Sequence, residues 1–497
     1  MLFNSYEFLI FFPIVTLIYF LISHRLRYVW LLIASYYFYM CWNAKYALIL
    51  LFSTTVTYIC GLLISKANKI KNEKTRIKWK KIHLASSFII NLSILFLFKY
   101  FDFAVDNINR ILSYLNMQVL NLSFDVVLPV GISFYIFQAL SYTVEVYRGD
   151  VKVEKNFLKY ALFVSFFPQL VAGPIERSKN LLRQIHEKHY FDAQRVKDGL
   201  LLMIWGGFQK IVIADRIAIV VDTVFNNFPT YGGMYIVVAA ILFAIQIYCD
   251  FSGYSIIAMG AAKVMGFELM ENFNAPYFSQ SVSEFWRRWH ISLSSWFKDY
   301  LYIPLGGNRK GKTRKYINLM IVFLVSGLWH GAQWSFVVWG ALNGIFQIIG
   351  EKLKAIRDWC AQKLRTNREN ASNKIYKIIT TFILIDFTWI FFRANSLKTA
   401  LNMIKSIFTV YNPWILFDDS LYKLGLNIKE FQFMILSIII LFIADFIKWK
   451  GYSVREWVYK QNICFRWSFY IISILVVLVF GIWGPAYNES AFIYFQF

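Results

Sequence analysis

The chain has 497 residues, of which 58% are hydrophobic and 20% aromatic, and its formal net charge is +23. Apolar runs long enough to cross a bilayer recur along its length without apolar–polar alternation, which excludes a soluble globular protein and a membrane β-barrel and predicts an all-α polytopic membrane protein. The basic residues lie in short loops between these runs, so the positive-inside rule explains the charge and no nucleic-acid partner is expected. Five scattered cysteines predict neither a disulfide framework nor a metal site.

The first half of the chain reads as spans joined by charged loops. Apolar runs lie near 5–22, 28–43, 46–65, 84–101, 128–147 and 157–172. The loop 66–81 holds eight basic residues against Glu73, which predicts a cytoplasmic loop and an extracytoplasmic N-terminus. The first run has no basic segment before it and no cleavage site, so it is expected to be a retained span.

Between residues 157 and 198 the chain is not expected to cross the membrane. Run 157–172 has basic residues at both ends, and the segment that ends it, 167–174, contains two prolines, which favours a re-entrant or interfacial segment. The region 176–198 is amphipathic and is expected on the cytoplasmic face. Four histidines in basic loops or at span ends are expected to be solvated: His24, His83, His186 and His189.

Further spans are predicted at 200–222, 234–254, 378–393, 431–447 and 467–484, for about eleven or twelve in all. Basic loops at 308–315 and 351–377 flank one long apolar segment, so it should enter the membrane and return, with His330 near the turn. With nine prolines and no Gly/Ser-rich linker, residues 1–497 are expected to form a single integral membrane domain.

The segment from Ser326 to Ala332, Ser-Gly-Leu-Trp-His-Gly-Ala, is the first candidate for chemistry. A histidine is uncommon in an apolar run, because lipid satisfies neither ring nitrogen. Small residues around it, such as Ser326 and Gly331, allow close approach of another backbone or a ligand. His330 is the candidate base, supported by Trp329, and the alternative is a polar residue that holds two helices together.

The segment 272–309 is too polar to span. Within it, Trp286, Trp289, Leu293 and Trp296 recur at steps of three or four, which predicts one face of a helix. We expect Arg287 and Arg288 to grip an anionic donor with the flanking tryptophans, and His290 to polarise the acyl group or to be structural. A turn at Gly306-Gly307-Asn308-Arg309 would add Asn308 and Arg309 to the donor site; the alternative is an interfacial helix with snorkelling arginines.

Asp250 is an acid inside an apolar run, where it either makes a buried hydrogen bond between helices or takes part in chemistry. Neither Asp250 nor Asp386 and Asp445 has an evident basic partner within a span. This argues against a secondary transporter, for which intramembrane charge pairs are typical.

These segments together resemble the membrane-bound O-acyltransferase (MBOAT) family, and most closely its bacterial alginate and peptidoglycan O-acetyltransferase branch. The resemblance rests on Trp286 to His290, Asp299 to Arg309 and Ser326 to Gly331, and on three further segments: Ala172 to Arg177, Tyr248 to Tyr254 and Phe492 to Phe497. It spans nearly the whole chain, with a core at about 165–350. One departure is Ile256, where the family commonly has Asp.

The resemblance implies that His330 is the catalytic histidine and His290 a second functional position. It implies a ring of helices with re-entrant and interfacial segments around a thin central floor, crossed by a tunnel to which Asp250, Ser326, Trp329 and Gly331 would belong. It also implies a bacterial cell membrane location, no bound cofactor and acetyl-CoA as the cytoplasmic donor. An extracytoplasmic SGNH-type partner would complete transfer to a polysaccharide, and membrane lipid would surround the chain.

Three alternatives stay open. The first is the related D-alanyl transfer to teichoic acid from an acyl carrier protein. The others belong to different classes: a polysaccharide or solute transporter, and a non-catalytic scaffold.

Overall fold

The computed structural model describes residues 1–122, 128–363, 365–367, 370–483 and 493. The regular secondary structure of these residues is entirely helical, which confirms the all-α class. The helices group into two compact units, Met1–Met203 with Ser255–Met270, and Ile204–Tyr254 with Glu271–Phe497. The single integral membrane domain stays a prediction.

The first unit begins with long helices and continues with short ones. They are α1 (Tyr6–Leu21), α2 (His24–Met40), α3 (Tyr46–Ala67), α4 (Glu73–Leu95), the π-helical turn Phe96–Tyr100, α5 (Phe101–Tyr114), α6 (Ile132–Arg148), α7 (Phe157–Ser165), α8 (Phe167–Leu170), α9 (Ser178–His186) and most of α10 (Ala193–Gly207). Side chains at N-caps start several of them; Asn72 accepts from the backbone N–H of Thr75, and Asn156 from those of Leu158 and Lys159.

The second unit contains both long and very short helices. They are the π-helical turn Phe208–Ala214, α11 (Asp215–Asn226), most of α12 (Met234–Met265), the 3₁₀ turn Pro276–Phe278, α13 (Val282–Arg288), α14 (Ile291–Phe297), the π-helical turn Lys298–Tyr302, α15 (Gly311–His330), α16 (Trp334–Lys352), α17 (Lys354–Lys363), α18 (Ala371–Arg393), α19 (Leu397–Thr409), the 3₁₀ turns Pro413–Leu416 and Asp419–Lys423, α20 (Ile428–Trp449), α21 (Val454–Tyr459) and α22 (Ile463–Phe480).

Six helical segments in the described part of the chain are long and apolar enough to cross a membrane: Tyr46–Ala67, Glu73–Tyr114, Met234–Met265, Ala371–Arg393, Ile428–Trp449 and Ile463–Phe480. They confirm a multi-pass membrane protein. Other predicted spans form helices outside this group, such as α6 with 17 residues. The total of eleven or twelve spans, the ring and the tunnel stay predictions.

Several boundaries differ from the predicted ones. The run predicted at 84–101 is part of a continuous helical segment that extends to Tyr114, and the run at 234–254 extends to Met265. Both helices continue past the apolar residues, because the backbone hydrogen-bond ladder does not need apolar side chains once it has formed. Apolar runs therefore located these helices but underestimated their length.

The segment 157–172, predicted to be re-entrant or interfacial, is divided into two short helices in the first unit. α7 has nine residues and α8 has four, too few for either to span a membrane. Beyond them, Glu176 is buried and accepts hydrogen bonds from the Asn180 side chain at 2.8 Å and from the backbone N–H of Met270. Burial raises the pKa of Glu176 to about 7, although these hydrogen bonds oppose the shift.

Of the four histidines expected to be solvated, His186 is exposed and contacts Glu154 at 2.6 Å. The other three are half-buried: His24, His83, which stacks on Trp79, and His189, whose ring packs 4.5 Å from the ring of Phe267. The basic composition of their loops concealed this, because burial there comes from contacts between distant segments.

Candidate active site

His330 is the last residue of α15, directly before the turn that leads into α16. This confirms its predicted place at the turn of a hairpin, whose arms have 20 and 19 residues. The side chain is 5% exposed. The ring centres of Trp329, Trp339 and Phe392 lie 4.9, 5.1 and 5.3 Å from that of His330, so aromatic rings surround the imidazole.

Glycines explain how the two arms of the hairpin come so close. A Cβ at Gly327 would lie 2.3 Å from the carbonyl oxygen of Phe336, and a Cβ at Gly340 would lie 2.3 Å from that of Phe323. A Cβ at Gly331 would collide with the Phe336 ring at 2.2 Å. Small residues at such positions let helix backbones touch, which is a common mode of packing in membrane proteins. The buried Ser326 lies in the same turn of α15.

His290 lies between α13 and α14 and is 1% exposed. Its backbone is left-handed, with φ 43° and ψ 55°, a conformation that is uncommon outside glycine. Asn272 stabilises the next residues, since its carbonyl accepts from the N–H of Ile291 at 2.9 Å and its side chain from the N–H of Ser292 at 3.2 Å. Burial lowers the pKa of His290 to about 3, so the imidazole is neutral at physiological pH.

Trp329 connects the two predicted histidines. Its ring centre lies 6.0 Å from that of His290 and 4.9 Å from that of His330. Phe251 packs on His290, with 4.6 Å between the two ring centres. The structure therefore brings His290 and His330, 40 residues apart in sequence, against the same indole.

The sequence analysis missed the aromatic residues that complete this site. Trp339 stacks on Trp389 at 5.8 Å, and both contact Phe392. Trp286, which the sequence analysis assigned to the donor site, packs against this group, with its ring centre 5.6 Å from that of Trp339. Apolar aromatic residues in spans give no local signal that distinguishes a site from ordinary core, so only the tertiary packing identifies them.

The predicted helical stripe of Trp286, Trp289, Leu293 and Trp296 is wrong as a continuous face. The first helix ends at Arg288, and a new one starts at Ile291, because the left-handed conformation of His290 cannot continue a right-handed helix. Trp289 is nonetheless buried, and its ring lies 5.1 Å from that of Trp389.

The predicted donor-binding residues differ in how free their side chains are. Arg288 forms an ion pair with Glu284 at 2.9 Å and donates to the carbonyl of Asn274 at 3.1 Å. Arg287 is exposed, and within the described part of the chain it has no ion pair. Arg309 is exposed as well, and Asn308 accepts a hydrogen bond from the Tyr302 hydroxyl. Arg287 and Arg309 are thus available to an anion, whereas Arg288 already has partners.

Asp250 has a basic partner within the bundle, contrary to the sequence analysis. The Nζ of Lys210 lies 2.5 Å from Asp250 and 2.8 Å from Asp215, and all three side chains are buried. The backbone N–H of Ile493 donates to the other oxygen of Asp250 at 2.9 Å. A lysine in the apolar run 200–222 was the available signal, since buried charges in membranes occur in pairs. A role of Asp250 in a tunnel stays a prediction.

The arrangement suits proton transfer at His330, because a buried imidazole among indole and phenyl rings can take a proton from a hydroxyl. Within the described residues no group of three His, Cys, Asp or Glu side chains is placed to hold a metal ion. Arg287 and Arg309, the exposed residues that could bind an anionic substrate, are not among the aromatic residues that surround His330.

Comparison with known proteins shows that the chain is similar to proteins named for acyl transfer. The "Probable alginate O-acetylase" of Pseudomonas putida is 36% identical over 508 aligned residues, covering 100% of both chains. The "Peptidoglycan O-acetyltransferase" of Helicobacter pylori is 35% identical, over 76% of this chain and 73% of its own. The "Teichoic acid D-alanyltransferase" of Bacillus subtilis is 25% identical, over 53% and 68%.

The sequence profile of one family matches residues 102–390, a range that includes both histidines and the segment between them. The chain belongs to the membrane-bound O-acyltransferase family.

Proposed function

We propose that this acyltransferase takes an acetyl group from a cytoplasmic donor, acetyl-CoA, and relays it across the membrane for O-acetylation of an extracytoplasmic polysaccharide. The observation that carries the proposal is the burial of His330 among Trp329, Trp339 and Phe392 at the turn of the α15–α16 hairpin. The names of the relatives from Pseudomonas putida and Helicobacter pylori support an acetyl group and a polysaccharide acceptor.

In the proposed step His330 acts as a general base. The acceptor hydroxyl loses its proton to the imidazole while its oxygen bonds to the carbonyl carbon of the thioester. The carbon–sulfur bond breaks, and the thiolate of coenzyme A takes up the proton from the imidazolium. The C-terminal end of α15 favours the transient positive charge on His330, because the negative end of the helix dipole lies there.

The neutral His290 polarises or positions the acyl group from the other side of Trp329. Arg287 and Arg309 contact the phosphates of the donor, for which the planar guanidinium is well suited. Trp286 and Trp289 line the approach with Asn308, and Arg288 holds the local backbone. Ser326, Gly331 and Asp250 would shape the tunnel.

The proposal includes a place and a partner. The chain would lie in the bacterial cell membrane with its N-terminus outside, as the charge of the 66–81 loop predicts. An extracytoplasmic SGNH-type acetyltransferase would receive the acetyl group and complete its transfer to the polymer.

Membranes with wild type, His330→Ala or His83→Ala at matched expression test the proposal. Radiolabelled acetyl-CoA is supplied on the cytoplasmic side, and label is counted in the extracytoplasmic polymer or partner protein. We expect His330→Ala to insert and bind donor normally but to lose transfer by about 10²–10⁴-fold, the usual contribution of a general base. His83→Ala, outside the site, should transfer like wild type. Equal transfer by all three would refute a catalytic His330.

A second candidate is D-alanyl transfer to teichoic acid. It is favoured by the similarity to teichoic acid D-alanyltransferases, which is lower and covers 53% of this chain. Supplying D-alanine loaded on an acyl carrier protein in the same assay separates the two. Label from D-alanine and none from acetyl-CoA would replace the acetyl proposal.

A further inference from the structure

The first unit contains a cavity of about 340 Å³ that is separate from the histidine site in the second unit. Three segments form most of the lining: the α1–α2 connection with the adjoining turns of both helices, the start of α7, and the end of α9 with the residues after it. Phe267, after α12, completes it. Basic and aromatic side chains form much of the lining, which comprises Tyr19, His24, Arg25, Arg27, Tyr28, Leu31, Asn156, Lys159, Leu162, Ile185, Glu187, His189 and Phe267. All three segments are predicted to be cytoplasmic.

The charges around the cavity favour an anion. Arg25, Arg27 and Lys159 are basic, and among the described residues of the lining Glu187 is the one acid. Glu187 also lies 3.4 Å from the guanidinium of Arg183, outside the lining, which offsets its charge. Burial lowers the pKa of His189, and the charges of Arg195 and Arg27 act in the same direction despite an opposing hydrogen bond to the Gln184 carbonyl.

Two of the cations are held in place by the protein itself. The guanidinium of Arg27 donates to the carbonyls of Ile22 and His189 and lies 4.9 Å from the ring centre of Tyr19. Lys159 contacts His186 at 2.9 Å and lies 5.4 Å from the ring centre of Tyr28. These contacts join the three segments and fix two positive charges at the wall of the cavity.

Two other basic side chains of the lining, Arg25 and His24, have nitrogen atoms that are available for a ligand. Arg25 is exposed at the rim, and within the described part of the chain it forms no ion pair. The Nδ1 atom of His24 is buried and has no hydrogen-bond partner among the described residues. A buried polar atom without a partner is costly, so a ligand that accepts a hydrogen bond there would stabilise the folded protein.

The floor of the cavity is apolar. Leu31, Leu162 and Phe267 are buried beneath the basic rim. The neighbouring surface is apolar too, since Leu21, Leu26 and Phe191 are more than half exposed. A basic rim over an apolar floor, beside exposed apolar side chains, is typical of sites at the membrane interface.

We propose that this cavity binds a phosphate ester, with Arg25 and His24 donating to the phosphate and Arg27 and Lys159 supplying the surrounding positive charge. Phosphate carries the acceptor oxygens that match an arginine fork. The same chemistry is offered by the headgroup of an anionic phospholipid and by a soluble phosphate ester. The site does not depend on the acyl transfer proposed above.

Binding to the intact protein in nanodiscs tests the proposal with two probes. In one arm the discs contain phosphatidylcholine with or without phosphatidylglycerol, and retained phosphatidylglycerol is measured by native mass spectrometry. In the other arm the discs contain phosphatidylcholine alone, and binding of radiolabelled glycerol phosphate is measured. Arg25→Ala, Arg25→Glu and Arg25→Lys are compared with wild type and with Arg76→Ala, a control outside the cavity.

We expect Arg25→Ala to weaken binding about tenfold, the usual effect of one charged hydrogen bond. Arg25→Glu should weaken it further, Arg25→Lys should retain part of it, and Arg76→Ala should match wild type. Because Arg25 is exposed, the variants should keep the wild-type melting temperature. Loss of phosphatidylglycerol alone identifies a lipid headgroup, and loss of glycerol phosphate identifies a soluble ester. Binding of neither probe, or equal binding by wild type and both Arg25→Ala and Arg25→Glu, would overturn the proposal.

Discussion

At the scale of single residues, His290 combines a left-handed backbone with complete burial. Each feature has a cost, since this conformation is disfavoured for residues with a Cβ and an imidazole loses its hydration. Such costs persist where the surroundings fix the backbone, as Asn272 does here by accepting hydrogen bonds from the N–H groups of the two residues after His290. The position of His290 against Trp329 is therefore determined by its neighbours and not by its own preference.

The neutral state of His290 predicts a pH dependence of stability. Its pKa is about 3 in the folded protein and about 6.5 when unfolded, so between these values the unfolded chain binds a proton that the folded protein does not. Stability therefore falls as the pH is lowered from 6.5, by about 2 kcal/mol at pH 5 from this residue. His290→Asn tolerates the same backbone and does not titrate, so its melting temperature should fall less between pH 7 and pH 5. Parallel melting profiles for the two proteins would contradict this.

The two arginines of the 286–290 segment should respond differently to removal. Arg288→Ala breaks the ion pair with Glu284 and the hydrogen bond to the Asn274 carbonyl. We expect the free energy of unfolding to fall by about 1–3 kcal/mol, and the melting temperature to fall with it. Arg287→Ala removes an exposed side chain and should leave stability within about 0.5 kcal/mol while weakening acetyl-CoA binding. Thermal unfolding and donor titration of both variants separate these effects. Unchanged donor affinity in Arg287→Ala would exclude it from the donor site.

At the scale of elements, the α15–α16 hairpin positions the catalytic candidate. Gly327 and Gly340 bring the two helices into backbone contact, and this contact places Trp339 on His330. The hairpin also contacts α18 through Trp389 and Phe392, which close the aromatic site. The geometry of the histidine thus depends on close packing between helices, where small changes in volume have large effects.

Two glycines of α16 form a matched pair that tests this dependence. In Gly340→Ala the new Cβ meets the Phe323 carbonyl at 2.3 Å, so the helices must separate, at a cost of about 1–3 kcal/mol. In Gly350→Ala the Cβ meets nothing within 4 Å, so the higher helix propensity of alanine should make the change neutral or stabilising by up to about 1 kcal/mol. Apparent melting temperatures and acetyl transfer are measured for both. Equal behaviour of the two variants would show that the close contact does not support the site.

The same elements show what could be predicted from the sequence. Basic loops on both sides of the 316–349 segment were enough to place His330 at a turn, because charge sets the side of each end. The break at His290 could not be predicted, since neither glycine nor proline marks it. The Lys210–Asp250 pair could be predicted only in part. A lysine in an apolar run predicts a buried acidic partner, but packing between helices determines which acid it is. Local sequence patterns therefore predicted individual helices and turns, but they could not predict the tertiary contacts that complete the site.

At the scale of the whole molecule, the proposed relay of an acetyl group requires that each segment faces a defined side of the membrane. The strongest evidence for orientation is the 66–81 loop with its eight basic residues. The helical segment Glu73–Tyr114 begins within this loop and has 42 residues, which corresponds to about 63 Å. That length exceeds the hydrocarbon core of about 30 Å, so the two ends of this helix should emerge on opposite sides.

Cysteine labelling at the two ends tests the orientation of the molecule. Lys71→Cys lies in the basic loop, and Tyr114→Cys lies at the far end, where the side chain is 87% exposed; each is introduced into a variant without the five native cysteines. In intact cells a membrane-impermeant maleimide should label Tyr114→Cys alone, and Lys71→Cys should react once the membrane is permeabilised. The proposed entry of acetyl-CoA from the cytoplasm requires this order, because the basic segments that would bind it are predicted on the same side as residue 71. Labelling of Lys71→Cys in intact cells would invert the orientation and place the proposed donor site outside, where acetyl-CoA does not reach it.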